Sequence, residues 1–270
     1  MRDREKSHRN GCPWRGTISD VDPADFYSGI VVEAYSKLKS STFEAEPYAS
    51  FVASHGEPGL EIGCGDGQPI LDLCASGLDV DGVDSSLDMV NRCRENAAHR
   101  GLHMLVHHQR VEDLSLGRRY PSIYFAGPTF NLLADDETAL RALVAIREHL
   151  SEDGECLIPL WIPDPTPVDE IGLTRTTEDG SGVELRYTPT SEVYDAEART
   201  RTTSTKYERV TATGRESVDR DWIIHWHTPT SFTRLSFKAG LRLVDLRDDE
   251  TGQAASTRST DFTATVRRRS

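Results

Sequence analysis

The sequence predicts an α/β fold: a mostly parallel sheet with helices on both faces, and an antiparallel β insertion before the last helix. Three observations carry this. A strand, a glycine turn and a helix follow one another over 59–76. Short apolar runs then alternate with segments of helical spacing as far as Ile162. From Pro165 the chain changes to short alternating runs rich in Thr, Arg and Glu, and it changes back at Pro229.

The chain opens MRDREKSHRNGCPWRG, which has no apolar core and so is not a signal peptide; residues 1–22 are expected to form a flexible tail. Pro23 to Ser40 reads as a helix with Phe26, Ile30, Val31, Ala34, Tyr35 and Leu38 on one side and Tyr27 in the same stretch. A second helix, Phe43 to Ser54, buries Phe43, Tyr48, Phe51 and Val52 and stops at Gly56.

Gly59 through Ile62 is the end of a buried strand, and Gly63, Gly65 and Gly67 then make a tight turn. Pro69 falls in the first turn of a helix that carries Ile70, Leu73 and Cys74 and is stopped by Gly77. Strand, turn and helix leave room for a ligand close against bare backbone at a helix N-terminus. The next strand, Val80 to Val83, ends in Asp84, where a carboxylate can grip a ribose diol. The glycines run G-x-G-x-G, with Gln68 where the nicotinamide-dinucleotide fingerprint has its third glycine. Glu61 stands where an NAD-binding strand packs an apolar residue. An acid there suits a ligand with an ammonium group, such as the methionine part of S-adenosylmethionine (SAM).

The stretch EIGCGDG, with GVDSS downstream, resembles motifs I and II of the class I SAM-dependent methyltransferases. The resemblance covers Gly59 to Pro163 and Pro229 to Val266. It implies a Rossmann-like seven-stranded sheet, SAM as cofactor and S-adenosylhomocysteine as product. It also implies that Glu61, Gly63, Cys64, Gly65, Gly67 and Asp84 hold the cofactor, with Ser85 and Met89 against the adenine. Relatives carry an aspartate where Arg110 sits, so the adenine contact passes to Glu112 or the backbone of Val111. Helices before motif I form a lid in the family, which makes Tyr27 or Tyr35 a cofactor contact; the alternative is that both tyrosines pack in the core.

Ser85 or Ser86 caps the following helix, which runs to about His99 with Leu87, Val90, Cys93 and Ala97 inward. His103 to His107 is the third strand and Pro121 to Ala126 the fourth, nearly all apolar as in a sheet covered on both faces. In the family the loop that follows lies beside the transferring methyl group. That places Ala126 at the cofactor and Phe130 and Asn131 in the acceptor pocket, joined there by Tyr35 and by Trp161 as a wall. Asp136 caps a helix from Glu137 to Leu150, and Glu152-Asp153-Gly154 turns into the fifth strand, Cys156 to Ile162.

Residues 164–228 are the insertion, with strands at 182–187, 203–210 and 221–227 and turns at Glu178-Asp179-Gly180 and Thr213-Gly214. Residues 23–163 and 229–270 make the SAM-binding domain. Its last part is a helix from Pro229 to Ala239, capped by Thr228, and two strands, Leu241 to Leu246 and Phe262 to Val266. The methyltransferase family ends on that pattern; the NAD-binding fold does not. The inserted sheet looks like that of the antibiotic-sugar N-methyltransferases and, more distantly, glycine N-methyltransferase. There it shapes the acceptor pocket and helps form dimers, which implies a small-molecule acceptor and a homodimer.

His225 and His227 alternate onto one face of the last insert strand, with Trp226 on the other. They are the candidate general bases, the alternative being interstrand packing. No metal is expected: catechol-type relatives place aspartates after the fourth and fifth strands, and here the fourth is followed by Ala126-Gly127-Pro128. His103, His107 and His108 have strand spacing and read as structural.

Net charge is −13, from 31 basic and 44 acidic residues, so nucleic acid is a poor partner. No run of 18 apolar residues exists to span a membrane. Cys12, Cys64, Cys74, Cys93 and Cys156 are an odd number without a C-x-x-C pair, which fits a reduced cytoplasm and no structural zinc. The expectation is a cytoplasmic SAM-dependent methyltransferase acting on N or O of a small molecule in a biosynthetic pathway. The alternatives are a methyltransferase-like cyclase that binds SAM without transferring methyl, and a non-catalytic SAM-binding or scaffolding protein.

Overall fold

A computed structural model describes residues 22–38, 44–178 and 180–269. The expected tail up to residue 21, Cys12, the ends of the two N-terminal helices within 39–43 and Asp179 of the expected turn lie outside these residues.

Two layers of helices sandwich a seven-stranded sheet. Its strands are β1 (Gly59–Ile62), β2 (Val80–Asp84), β3 (Val106–His108), β4 (Tyr120–Phe125), β5 (Leu150–Trp161), β10 (Leu241–Asp248) and β11 (Asp261–Arg268). Their order across the sheet is β10-β11-β5-β4-β1-β2-β3. β1 pairs in parallel with both β2 and β4, whereas β11 runs antiparallel between β5 and β10. All four residues of β1 are buried, as a central strand covered on both faces requires. The strand order reverses at β1, and open α/β sheets bind ligands outside the carboxyl ends of the strands at such a point.

α5 (Asp136–His149) and α6 (Pro229–Lys238) cover one face, bringing Leu143, Ile146 and Phe232 onto Ile123 and Phe125. α2 (Glu46–His55), α3 (Ile70–Ala75) and α4 (Leu87–His99) cover the other, with Phe51, Ile70 and Val90 against Tyr124. Thr228 begins α6 with a capping box, its hydroxyl accepting from Ser231 while Ser231 reaches back to the cap.

The insertion is a second, fully antiparallel sheet in the order β6-β7-β8-β9: Arg175–Glu178, Glu184–Asp195, Thr200–Thr211 and Gly214–His225. It has four strands rather than the three expected, and three of them are 12 residues long. The extra one, Arg-Thr-Thr-Glu, carries no apolar residue and so no sequence signal. α1 (Ile30–Leu38) packs on this sheet, not on the larger one, through Ile30, Val31 and Ala34 against Leu185 and Tyr207.

Several boundaries differ from expectation. The first helix is interrupted: Pro23–Asp25 is a 3-10 turn, and Gly29, at φ +56°, takes a left-handed backbone before α1 starts. The third strand lies later, at Val106–His108. Asp135, not Asp136, caps α5 by accepting from Thr138 N–H at 2.8 Å. The expected turn at 152–154 is a bulge inside β5, whose pairing jumps from Leu150 to Glu155 while β4 advances only from Tyr120 to Ser122.

Candidate functional site

Two cavities meet at the carboxyl end of the main sheet. The first, about 330 Å³, runs from Gly63 and Gly65 past Asp84, Ser85 and Met89 to Val111 and Glu112. The second, about 390 Å³, lies between the insertion and the loop after β4, walled by Asn131, Trp161, Tyr187, Tyr207 and Trp222. Tyr27, Tyr35, Thr129, Leu132 and Trp222 line both, so the two spaces share a wall.

The first cavity follows from the glycine turn. Gly63 and Gly65 adopt φ of +74° and +53°, and a Cβ on Gly63 would stand 2.4 Å from Thr129 Cγ2. The Gly63 and Cys64 N–H groups both bond Val83 O, at 2.8 and 3.1 Å, which ties the turn to β2. Asp84 Oδ2 accepts the Gly65 N–H at 2.9 Å and Oδ1 accepts the Ser86 N–H at 2.8 Å. A carboxylate has about four acceptor directions, so two remain for a ligand diol. Burial pushes the Asp84 carboxyl above its usual pKa, against the pull of its two backbone donors.

Glu61 is fully buried behind this turn and does not line the cavity. Its Oε2 accepts the Tyr124 hydroxyl at 2.8 Å, while Oε1 has no partner. Burial pushes its carboxyl well above the usual range. A buried carboxyl oxygen without a partner is costly. Cys64, Gly67 and Ala126 do not line the cavity either. Cys64 Sγ packs against Gly82, Gly67 at φ +104° lies on Leu71, and the Ala126 carbonyl accepts the Thr129 hydroxyl at 3.0 Å. They shape the turn and the loop rather than the surface offered to a ligand. α3 has only six residues, so the site rests on the turn and Asp84, not on a helix terminus.

Residues 22–27 cover this cavity. Ser85 Oγ donates to Ala24 O at 3.2 Å, Ser86 Oγ donates to Tyr27 O, and the Gly29 N–H donates to Asp88 Oδ2 at 2.8 Å. Arg110 holds Asp22 at 2.8 Å and Asp25 at 3.8 Å. It closes the cover over the space where it lines the wall.

The second cavity is aromatic. Tyr27 and Tyr35 meet edge to face, 5.3 Å between centroids, at the shared wall. Burial pushes the Tyr27 phenol well above its ordinary pKa; burial, helped by Asp66 and Asp84, takes Tyr35 to about 12. Both are neutral near pH 7. Asn131 Nδ2 donates to Trp161 O at 2.6 Å, fixing the loop after β4 to the end of β5. Phe130, expected in the pocket, is instead core: it is fully buried between Phe125, Phe232 and His227, because the 3-10 turn Thr129–Leu132 points it inward.

β9 ends at His225, two residues short of the expected strand end, yet His225 and His227 still share one side, 4.8 Å between centroids, with Trp226 stacked on Tyr194. Neither lines either cavity, however. Their neighbours are Asp136, at 3.4 and 3.8 Å, and Arg199, whose Nη1 is 3.3 Å from His227 Nδ1. Burial lowers the pKa of both, that of His227 to about 3 with help from His225 and Arg199. Buried, with lowered pKa values and outside both linings, they are placed as packing groups between β9 and α5. The three donors of Asp136, His225 and His227 lie within 4.8 Å of one another, and the Arg199 guanidinium meets two of these residues, 2.5 Å from Asp136 Oδ2 and 3.3 Å from His227 Nδ1.

Sequence reading did not reach the insertion's wall: Tyr187, Thr205, Tyr207, Trp222 and Ile224. The signal was there, in the i, i+2 pairs Leu185/Tyr187, Thr205/Tyr207 and Trp222/Ile224 on three neighbouring strands.

Comparison with known proteins gives a consistent picture. Residues 60–154 match the family described as "Methyltransferase domain". The dTDP-3-amino-3,6-dideoxy-alpha-D-glucopyranose N,N-dimethyltransferase of Streptomyces fradiae is 29% identical over 151 residues, 53% of this chain. The match spans 58% of that relative's length. Among solved structures, the sugar N-methyltransferase KedS8 from Streptoalloteichus sp ATCC 53650 superposes with a TM-score of 0.69 at 18% identity, covering 98% of this chain and 100% of its own. SAM-bound CalS10, an amino pentose methyltransferase from Micromonospora echinaspora, gives 0.61 at 18% identity, over 89% and 98%. At that identity the structural likeness is one of fold.

Proposed function

We propose, from the match of residues 60–154 to the family described as "Methyltransferase domain", that the protein moves a methyl group from SAM to the amino nitrogen of a small, sugar-like acceptor. The observation that carries this reading is the pair of cavities with a common wall: one fits a nucleoside with an amino-acid tail, the other a small ring.

Bound SAM supplies a methyl on a sulfonium, whose thioether leaves uncharged. The residues do the rest. The two remaining acceptor directions of Asp84 suit the ribose hydroxyls, and Met89 and Val111 suit the adenine faces. Tyr27 and Tyr35, neutral and packed at the seam, keep water from the line between donor and acceptor.

Nitrogen is favoured over oxygen by what the second cavity lacks. Among the described residues that line it there is no histidine, aspartate or glutamate. An alcohol would need a base there, while a neutral amine attacks unaided. Its aromatic walls suit the C–H faces of a sugar ring. The names of the Streptomyces fradiae relative and of the two solved methyltransferases support an amino sugar as well.

The test is to incubate the protein with methyl-labelled SAM and paired amino and hydroxy hexosides, following S-adenosylhomocysteine and labelled product. Label in the amino acceptors alone is the expected result. Label in the hydroxy members would move the reading to oxygen. Tight S-adenosylhomocysteine binding with no transfer to either would favour the cyclase or non-catalytic alternatives.

A further inference from the structure

Arg201 lies on β8, on the same face as Thr205 and Tyr207, beside the second cavity without lining it. Its guanidinium carbon stands 5.0 Å from the Trp161 ring centroid and 5.7 Å from that of Trp222. Trp161 ends β5 of the main sheet and Trp222 belongs to β9 of the insertion, so one side chain touches both halves of the acceptor wall.

The group is only 8% exposed, which makes a cation there costly unless it is compensated. Compensation comes from Glu192 Oε2 at 3.8 Å, from the Asp164 carbonyl, which accepts from Nη1 at 2.9 Å, and from the two aromatic faces. Nε remains without a hydrogen-bond partner. Glu192 in turn accepts the Thr166 N–H at 2.8 Å and the Thr203 hydroxyl at 3.0 Å. Residues 164–166, the chain leaving β5 for the insertion, are thus hung on the Arg201–Glu192 pair. The backbone ladder of β8 would be the same with any residue at 201. What arginine adds is a flat cation that lies between two rings, which lysine reproduces in charge but not in shape.

We propose that Arg201 is a positioning residue for methyl transfer: it holds Trp161 at a set distance from Trp222 and thereby sets the width of the acceptor slot. The proposal rests on reading the second cavity as the acceptor site.

The experiment compares the full-length protein with R201K and with the double variant R201M/E192Q, in which neither partner is left as a lone buried charge. Probes are a 3-amino-3,6-dideoxyhexoside as acceptor and S-adenosylhomocysteine. For the double variant, acceptor KM should rise about tenfold while kcat changes by less than about threefold. S-adenosylhomocysteine affinity should stay unchanged, and R201K should fall between the two. Acrylamide should quench tryptophan emission more strongly in the double variant, as the released rings become accessible. Unchanged acceptor KM would overturn the proposal. So would a parallel loss of acceptor and S-adenosylhomocysteine binding, which marks a purely structural arginine. If the wild-type protein methylates none of the amino sugars, the proposed function falls. The quenching comparison still decides the clamp: unchanged quenching rejects it, and increased quenching supports it.

Discussion

Asp84 offers two of its acceptor directions to Gly65 and Ser86 and leaves the other two toward the cavity. Asp84→Asn keeps the shape but removes the charge and replaces one acceptor oxygen with an NH2 donor, and should weaken S-adenosylhomocysteine binding by roughly 2–3 kcal/mol. Calorimetry reads this directly, and an unchanged affinity would remove Asp84 from the ribose. His227 makes a different prediction. Its pKa of about 3 in the fold lies below the unfolded value, so the neutral ring contributes stability that is complete above about pH 6.5 and is lost as pH falls toward 3. The slope is at most about 1.4 kcal/mol per pH unit. Melting temperatures between pH 7.5 and 5 should therefore fall less steeply for His227→Gln than for the wild type; equal slopes would exclude this histidine as the acid-sensitive group. The place of Asp84 at the end of β2, bonded to the glycine turn, was legible in the sequence because it follows from local spacing. The histidines' shared side was legible too, from strand alternation. Their surroundings were not, since these depend on Asp136 and Arg199, far away in the chain.

At the scale of elements, α4 and the cover depend on one hydroxyl. Ser86 Oγ accepts the Met89 N–H at 3.1 Å as the helix cap and donates to Tyr27 O in the cover. Ser86→Ala removes both, and should cost about 1–2 kcal/mol of stability and speed the release of S-adenosylhomocysteine. Thermal melts and stopped-flow dissociation would measure the two effects separately. A stability loss with unchanged release would mean that the cover is held elsewhere. Caps were readable because their chemistry is local: Thr228 was expected, and Ser86 was one of the two serines expected to cap α4. The cap of α5 fell one residue from its expected place, on Asp135, which frees Asp136 to meet Arg199. The strand at Arg175–Glu178 was not readable, because an outer strand with no apolar residue carries no period.

For the whole molecule, the order of strands and helices was legible from alternating periods and from the resemblance to a known family. That α1 would pack on the insertion was not, because its apolar stripe of Ile30, Val31 and Ala34 fits either sheet equally well on paper. Binding to the assembled first cavity should be visible as global stabilisation. At a hundredfold excess over its dissociation constant a ligand adds about 2.7 kcal/mol, a rise of roughly 5–10 °C for a chain of this size. S-adenosylhomocysteine should produce that rise and NAD should not; the reverse would return the glycine turn to the dinucleotide class.

The cover over the first cavity is fastened partly by Arg110 to Asp22 and Asp25, with the arginine 37% and the acids 46% and 61% exposed. Exposed pairs are screened by salt, whereas the aromatic second cavity has little charge to screen. Residence time and ionic strength are therefore coupled at one end of the site only. Spent cofactor should leave faster in concentrated salt while acceptor affinity hardly moves. If its departure limits the cycle, turnover rises with salt instead of falling.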